Sequence, residues 1–237
     1  MITSFYTGAT GAIQSQRGLD VAANNIANVS TNGYKAQRAT FEDLLYTNLR
    51  TDNQELKAGH GAKLNKTDVL HQEGTPRATG RNLDFAVFDA RSFFGVMTED
   101  GIQYTKNGNF SLSQQVDGQF YLAYAGGGNV VDAAGNPIKV DPNHYDQGEI
   151  ASKIGVFTFA NVDGLTPNGS CLFRGTATSG NPLVVENPQV RTGYLESSAV
   201  DIADEMIEVI QLQKAFQLNT RMIQISDEIM QTINNLR

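Results

Sequence analysis

From Asp201 to Leu236 the chain contains neither glycine nor proline, and no other stretch constrains the fold as strongly. Nothing in that span breaks a helix. Ser198, three residues before Asp201, reads as the N-terminal cap of a capping-box-like start. Asp204, Glu205 and Glu208 follow in the early turns, where carboxylates complement the helix dipole. Ala215, Leu218, Met222, Ile225, Ile229 and Leu236 keep a heptad seam broken only at Thr232. Beside it runs a second line through Val209, Leu212, Phe216, Ile223, Met230 and Ile233. Such a helix is on the order of 55–60 Å long, with roughly half its circumference in need of cover.

The N-terminal end carries a shorter helical pattern, with apolar residues at Ile2, Phe5, Ala9, Ala12, Leu19, Ala22, Ile26 and Val29. Thr31-Asn32-Gly33 then reads as the stop, with Asn32 and Gly33 as the helix cap and Gly33 free to take the left-handed conformation. This helix is too short to cover the C-terminal one. Either a bundle within the chain or other copies of the chain must bury the remainder. The sequence offers no third helix, which favours other copies. Met206, Ile210, Phe216, Met222, Ile223 and Ile229 are the candidates for the buried surfaces, some of them against Phe5, Leu19 and Ile26.

The N-terminal pattern also carries Asn24, Asn25 and Asn28, although asparagine is a poor helix former. A buried amide paired in one register only penalises every other register by about 1–3 kcal/mol. Asn24, Asn25 and Asn28 are therefore expected to fix register across helices at the assembly interface. Asn24 and Asn28 share a face, and Asn25 lies about 100° round from them.

Between about His71 and Asn187 the character changes. Glycine becomes frequent, and LDFAVFD, FFGVMTEDGIQYTKNGNFSL, GQFYLAYA, GNVVDAAGNPIKV and IGVFTFANV read as strands. Glu99-Asp100-Gly101, Asn107-Gly108 and Asp117-Gly118 are turn candidates. Tyr34 to Leu70 reads as an extended connector. The expected fold is α+β, with long terminal helices (1–33 and 196–237) paired as a coiled-coil-like domain. The connector (34–70) and an inserted all-β domain (71–195) lie between them.

Catalytic chemistry is hard to find in this sequence. His60, His71, His144 and Cys171 share no metal-ligand spacing. GGGN at Gly126–Asn129 lacks the helix and the Lys-Ser/Thr of a phosphate loop. DPNHYDQGE, Asp141 to Glu149, lacks the order of a calcium loop and reads as a solvated loop. The expectation is no enzyme, no metal and no cofactor. A net charge of −7 with scattered basic residues excludes a nucleic-acid face. No apolar run is long enough to span a bilayer, the N-terminus lacks a cleaved-signal pattern, and a single cysteine allows no internal disulfide.

LDVAANNIANVSTNGYKAQRATFEDLLY at Leu19–Tyr46 resembles the N-terminal signature of bacterial flagellar rod and hook proteins, and Gly193–Leu236 resembles the matching C-terminal end. Within that family the likeness is to rod proteins of the FlgG and FlgF type, and it extends through GHGAKLNKTDVLHQEGTPRATGRNLDFAVFDARSFFGV. The resemblance implies a structural subunit of the flagellar basal-body rod that transmits torque. It implies self-assembly with other copies and with other rod and hook proteins, the paired terminal helices forming the inner tube. It further implies export through the flagellar type III apparatus to an extracytoplasmic place in the cell envelope, without a cleaved leader. A β-domain binding module dimerised by its helices, or another axial, hook-like component, is the alternative.

Overall fold

The computed structural model describes residues 2–49, 56–115, 117–141 and 146–236. In chain order the elements begin α1 (Ile2–Ala27), β1 (Gln37–Asp43), β2 (Tyr46–Leu49), β3 (Leu56–Gly59), β4 (Ala62–Val69), β5 (Pro76–Ala78) and β6 (Phe85–Val87). They continue β7 (Ser92–Thr98), β8 (Gly101–Thr105), β9 (Phe110–Gln114), β10 (Phe120–Tyr124), β11 (Asn129–Val130) and α2 (Gln147–Lys153). The remainder are β12 (Val156–Thr158), β13 (Thr166–Pro167), β14 (Leu172–Arg174), β15 (Leu183–Val184), β16 (Val190–Thr192), β17 (Tyr194–Glu196) and α3 (Ile202–Asn235). The architecture is α+β, and the described residues pack as two units. One draws on 1–27, 37–68 and 201–237, the other on 28–36 and 69–200.

The first unit pairs α1 with α3 and adds two small ladders, β1 with β4 and the antiparallel β2 with β3. Among the described residues of 34–70, four strands stand where the sequence reads as an extended connector. These strands are short and largely polar on two-stranded ladders with one solvated face, so the apolar alternation that marks a strand is weak. β4 is tied to α1 by the Leu64 N–H, which donates to Gln14 Oε1 at 2.9 Å.

The second unit is built on an antiparallel sheet in the order β13-β14-β8-β7-β11-β10-β9, with β12 pairing both β7 and β15. Two short ladders, β16–β6 and β17–β5, complete its strands. Phe85, Phe94, Phe110, Leu122 and Val130 are sealed in one core cluster, and Phe93, Tyr104, Phe157, Phe159 and Phe173 lie in another. The unit is not all-β. The Asp146 carboxylate accepts the Gly148 N–H at 3.1 Å and starts α2, so the reading of Asp141–Glu149 as a loop fails from Gln147 onward. Residues 142–145, which include His144, lie outside the described residues.

Three buried charges meet in this unit. The Lys35 ammonium donates to Glu196 Oε1 at 2.5 Å and to the Gln72 carbonyl. The same Glu196 oxygen accepts the Gly74 N–H at 2.8 Å. Lys106 donates to the Asp89 carbonyl, stands 3.9 Å from Glu196 Oε2, and lies over the Phe93 ring at 5.5 Å. Burial pulls the Lys106 ammonium down to about 8, with Glu196 opposing the shift.

His71 lies against Phe93 and Phe173, ring centroids 5.9 and 5.8 Å away. Both of its ring nitrogens are sealed from solvent without a hydrogen-bond partner among the described residues. Burial lowers its pKa from 6.5 to about 4, opposed by Asp163 and assisted by Lys35 and Lys106. The folded state therefore binds this proton more weakly than the unfolded chain, and its stability falls as pH drops from about 6.5 through about 4. His71→Phe is expected to flatten that part of the stability curve while leaving the curve above pH 7 nearly parallel to the parent's. Urea midpoints measured at a series of pH values would reveal an unchanged acid limb if His71 were not its source.

Candidate assembly surface

The face of α1 turned toward α3 is made of small residues. Ser4 Oγ lies 3.4 Å from Ser226 Oγ. A Cβ built on Gly8 would come within 3.3 Å of Ile223, one on Gly11 within 2.7 Å of the Asn219 amide, and one on Gly18 within 3.1 Å of Leu212. Farther along, Asn25 reaches Glu205. The helices are therefore antiparallel, and the positions 4, 8, 11, 18 and 25 fall on a heptad seam whose residues are Ser, Gly, Gly, Gly and Asn. Buried Ser15 and Ala22 occupy the remaining seam positions. No signal of apolar periodicity marks this seam, because its residues are small rather than apolar. The spacing of small residues would have revealed it.

Asn25 is 1% exposed and its amide is fully engaged. Its Nδ2 donates to Glu205 Oε1 at 2.8 Å and to the Gln37 carbonyl at 2.7 Å, while its Oδ1 accepts the Gln37 N–H at 2.9 Å. One side chain thus joins α1, α3 and β1 inside a single chain, where the sequence reading gives it to an interface between helices of an assembly. Burial raises the Glu205 carboxyl above its ordinary range, and the Asn25 hydrogen bond opposes that rise. Asn24 is exposed, and Asn28 is half-buried with its Oδ1 accepting the Thr31 hydroxyl at 3.2 Å.

The caps differ from those read in the sequence. α3 begins at Ile202 under Asp201, whose carboxylate accepts the Ala203 N–H at 2.8 Å; Ser198 only accepts the Val200 N–H at 3.3 Å. Asp201 wins because it stands directly before the first helical residue, where a cap must be. α1 ends at Ala27, well before Asn32 and Gly33. Gly33 does take a left-handed φ of +69°, but its N–H donates to the Glu196 carbonyl at 2.8 Å. A Cβ there would stand 2.5 Å from the Asn107 nitrogen, so only glycine fits. Asn32 Oδ1 accepts from the Arg77 guanidinium at 3.2 Å.

With the small seam seated, the large side chains of α3 remain outside. Met206, Ile210, Phe216, Met222 and Ile229 are between 38% and 57% exposed. Ile207, Leu218, Ile225, Met230, Ile233 and Leu236 are exposed as well, and on α1 so are Tyr6 and Ile13. Ile223 is half-buried beside Gly8. Phe5, Leu19 and Ile26 are half-buried, Phe5 standing edge-on to Tyr6 at 5.9 Å. A contiguous apolar surface of this kind marks a contact site. Among the described residues no cluster of His, Cys, Asp and Glu is arranged to hold a metal, and no helix is long and apolar enough to cross a membrane.

Comparisons with known proteins follow the same two ends. Residues 5–35 match the family described as "Flagella basal body rod protein", and residues 191–236 match "Flagellar basal body rod FlgEFG protein C-terminal". The chain is 34% identical over 270 residues to the flagellar basal-body rod protein FlgG of Bacillus subtilis, covering 100% of both chains. It is 31% identical over 263 residues to the FlgG of Buchnera aphidicola from Acyrthosiphon pisum, again covering 100% of both. The flagellar hook-basal body complex protein FlhP of Bacillus subtilis is 27% identical over 270 residues.

Asn25→Leu fills similar volume but leaves the Gln37 N–H and carbonyl without their side-chain partner and strips Glu205 of its donor. The expected loss is about 2–4 kcal/mol, from more than one buried group left unsatisfied. Denaturant unfolding of the unassembled chain measures it, and a loss under about 0.5 kcal/mol, the size of an ordinary surface change, would remove Asn25 from its role at this node.

Proposed function

The chain belongs to the flagellar basal-body rod protein family, and from that premise we propose how its parts build the rod. It is a structural subunit of the flagellar basal body. In the proposed arrangement, copies stack helically, the paired terminal helices of each forming a coiled-coil-like inner tube with the β-rich residues 71–195 outside it. The observation that supports this is the apolar face of α3, which stays exposed after α1 is seated in its seam.

A subunit that completes its apolar cover only against neighbours reaches full burial of its large side chains only in the polymer. Contacts that join one face of a copy to a different face of the next generate an open helix rather than a closed ring or dimer. Torque passed along such a tube acts across those contacts, so the faces must resist sliding. Large, irregular side chains such as Met206, Ile210 and Phe216 interdigitate and resist a one-turn slip better than a uniform stripe. The partners in this reading are other copies, neighbouring rod and hook proteins, and the type III export apparatus that delivers the chain outside the cytoplasm. The subunit carries no catalytic step and no cofactor.

The combined change Met206→Lys and Ile210→Lys tests the reading. Both residues are more than half exposed, so the unassembled chain should keep its stability to within about 0.5 kcal/mol. Rod-like polymers of the parent protein, viewed by electron microscopy, should be absent from the variant, and cells carrying it should not swim. Normal rods built from the doubly charged variant would overturn the assignment of this face.

A further inference from the structure

We infer that the C-terminal end of α3 from one copy seats in a groove at the α1 N-terminus of a laterally adjacent copy. The inference rests on the polymer proposed above and specifies one of its contacts. In the α1–α3 pair, Ser4 stands opposite Ser226 and α1 begins at Ile2. α3 runs on to Asn235. Its last two turns therefore project past the start of α1, and Ile229, Met230, Ile233 and Leu236 on that overhang are all exposed.

Just inside the overhang lies a groove of about 270 Å³, lined by Thr3, Ser4, Thr7, Gly8, Asn219, Met222 and, from β3, Gly59. Gly8 and Gly59 contribute no side chain, and the threonine methyls with Met222 give the groove an apolar interior suited to branched aliphatic side chains. The overhang offers such side chains. An overhang cannot reach the groove of its own chain, because the groove's α3 wall and the overhang are successive parts of one continuous helix. The middle of the groove on α3, between Asn219 and Met222, and the middle of the overhang are separated by about 18 Å along the axis.

A second copy displaced by about that stagger along the helix axis places its overhang in the first copy's groove. The first copy's own overhang is then free for a third. Peg and groove are different surfaces, so the contact is heterologous and propagates without closing. The same chain supplies both halves of the contact, which makes a second copy the occupant rather than an unrelated partner.

Cysteine pairs test this in full-length protein with Cys171→Ser as background. One variant carries Thr3→Cys and a second carries Ile233→Cys, and each is assembled alone, in mixture, or as the double substitution, then oxidised. The expected result is a covalent dimer from the mixture, a ladder of multimers from the double variant, and no dimer from either single variant. Rods by electron microscopy without cross-linking in the mixture would overturn the peg-and-groove contact and leave the rod reading standing. Cross-linking of Ile233→Cys to itself would indicate tip-to-tip pairing about a two-fold axis, which also overturns it. Absence of any polymer from the parent background would remove the rod reading and this contact together. Ile233→Asp gives a second measure, expected to abolish polymers while leaving the circular dichroism of the unassembled chain unchanged.

Discussion

The closeness of α1 to α3 decides what the rest of the helical unit can do. Ordinary helix pairs with leucine-sized contacts stand about 8–10 Å apart. Here Gly8, Gly11 and Gly18 bring α1 nearer, and a Cβ at Gly11 would already collide with the Asn219 amide. Each glycine inside a helix costs about 0.5–1 kcal/mol relative to alanine. Three such costs in one helix are retained because proximity requires them. The consequence is an economy of large side chains. A seam of Ser, Gly and Asn on α1 engages only one stripe of α3, around Glu205, Leu212, Asn219, Ile223 and Ser226. The remaining Met, Ile, Leu and Phe side chains are left for other contacts.

Packing of small residues is permissive about register, since a shift of one turn meets another small residue. The polar node removes that freedom. Asn25 can satisfy Gln37 and Glu205 together in one alignment only, and in any other it leaves a buried carboxylate and a strand amide unpaired. The second unit uses charge in the same way. Lys35, Lys106 and Glu196 bring two cations to one carboxylate in a sealed site, an arrangement whose desolvation cost makes it poor as a source of stability. It is selective instead, because Glu196 Oε1 must receive both the Lys35 ammonium and the Gly74 N–H. The Gly33–Lys35 stretch follows α1 and Glu196 precedes α3, so this node fixes the two segments of the second unit that lead to the helices.

Some of this was legible in the residues and some was not. The long C-terminal helix could be read because the absence of Gly and Pro and the repeated large apolar residues both survive in one dimension. The strands around Phe93, Tyr104, Phe110 and Leu122 could be read because their apolar runs are bounded by turn residues. The seam is not legible in the same way, because its face of α1 is made of small residues that carry little apolar periodicity. The strands between Gln37 and Val69 are not legible in the sequence because two-stranded, half-solvated ladders have little apolar alternation. Gly33 takes the left-handed φ expected of it, but its N–H serves Glu196 rather than a helix cap. Local chemistry gives the dihedral, while the Asn107 backbone that forbids a Cβ is distant in sequence. Asn25, expected to fix register across an assembly interface, is buried and meets its partner Glu205 inside the same chain.

In the proposed rod, the same division of labour favours addition of a copy to a growing end over pairing of two free copies. The net charge of −7 per copy repels other copies at distances of a Debye length, about 8 Å at physiological ionic strength. Burial contributes about 25 cal/mol per Å² only once surfaces touch, and one partly exposed Met or Ile recovers little of it in a single glancing contact. An encounter between two free copies therefore gains less than it must offset in lost translational and rotational freedom. In the proposed rod, a copy entering a growing helical end meets several neighbours at once. It then buries the Met206–Ile210 face and the Ile229–Leu236 overhang together, while paying that entropy once. Exposed apolar side chains held rigidly by a close helix pair thus favour elongation over random pairing, because only a lattice site covers them all.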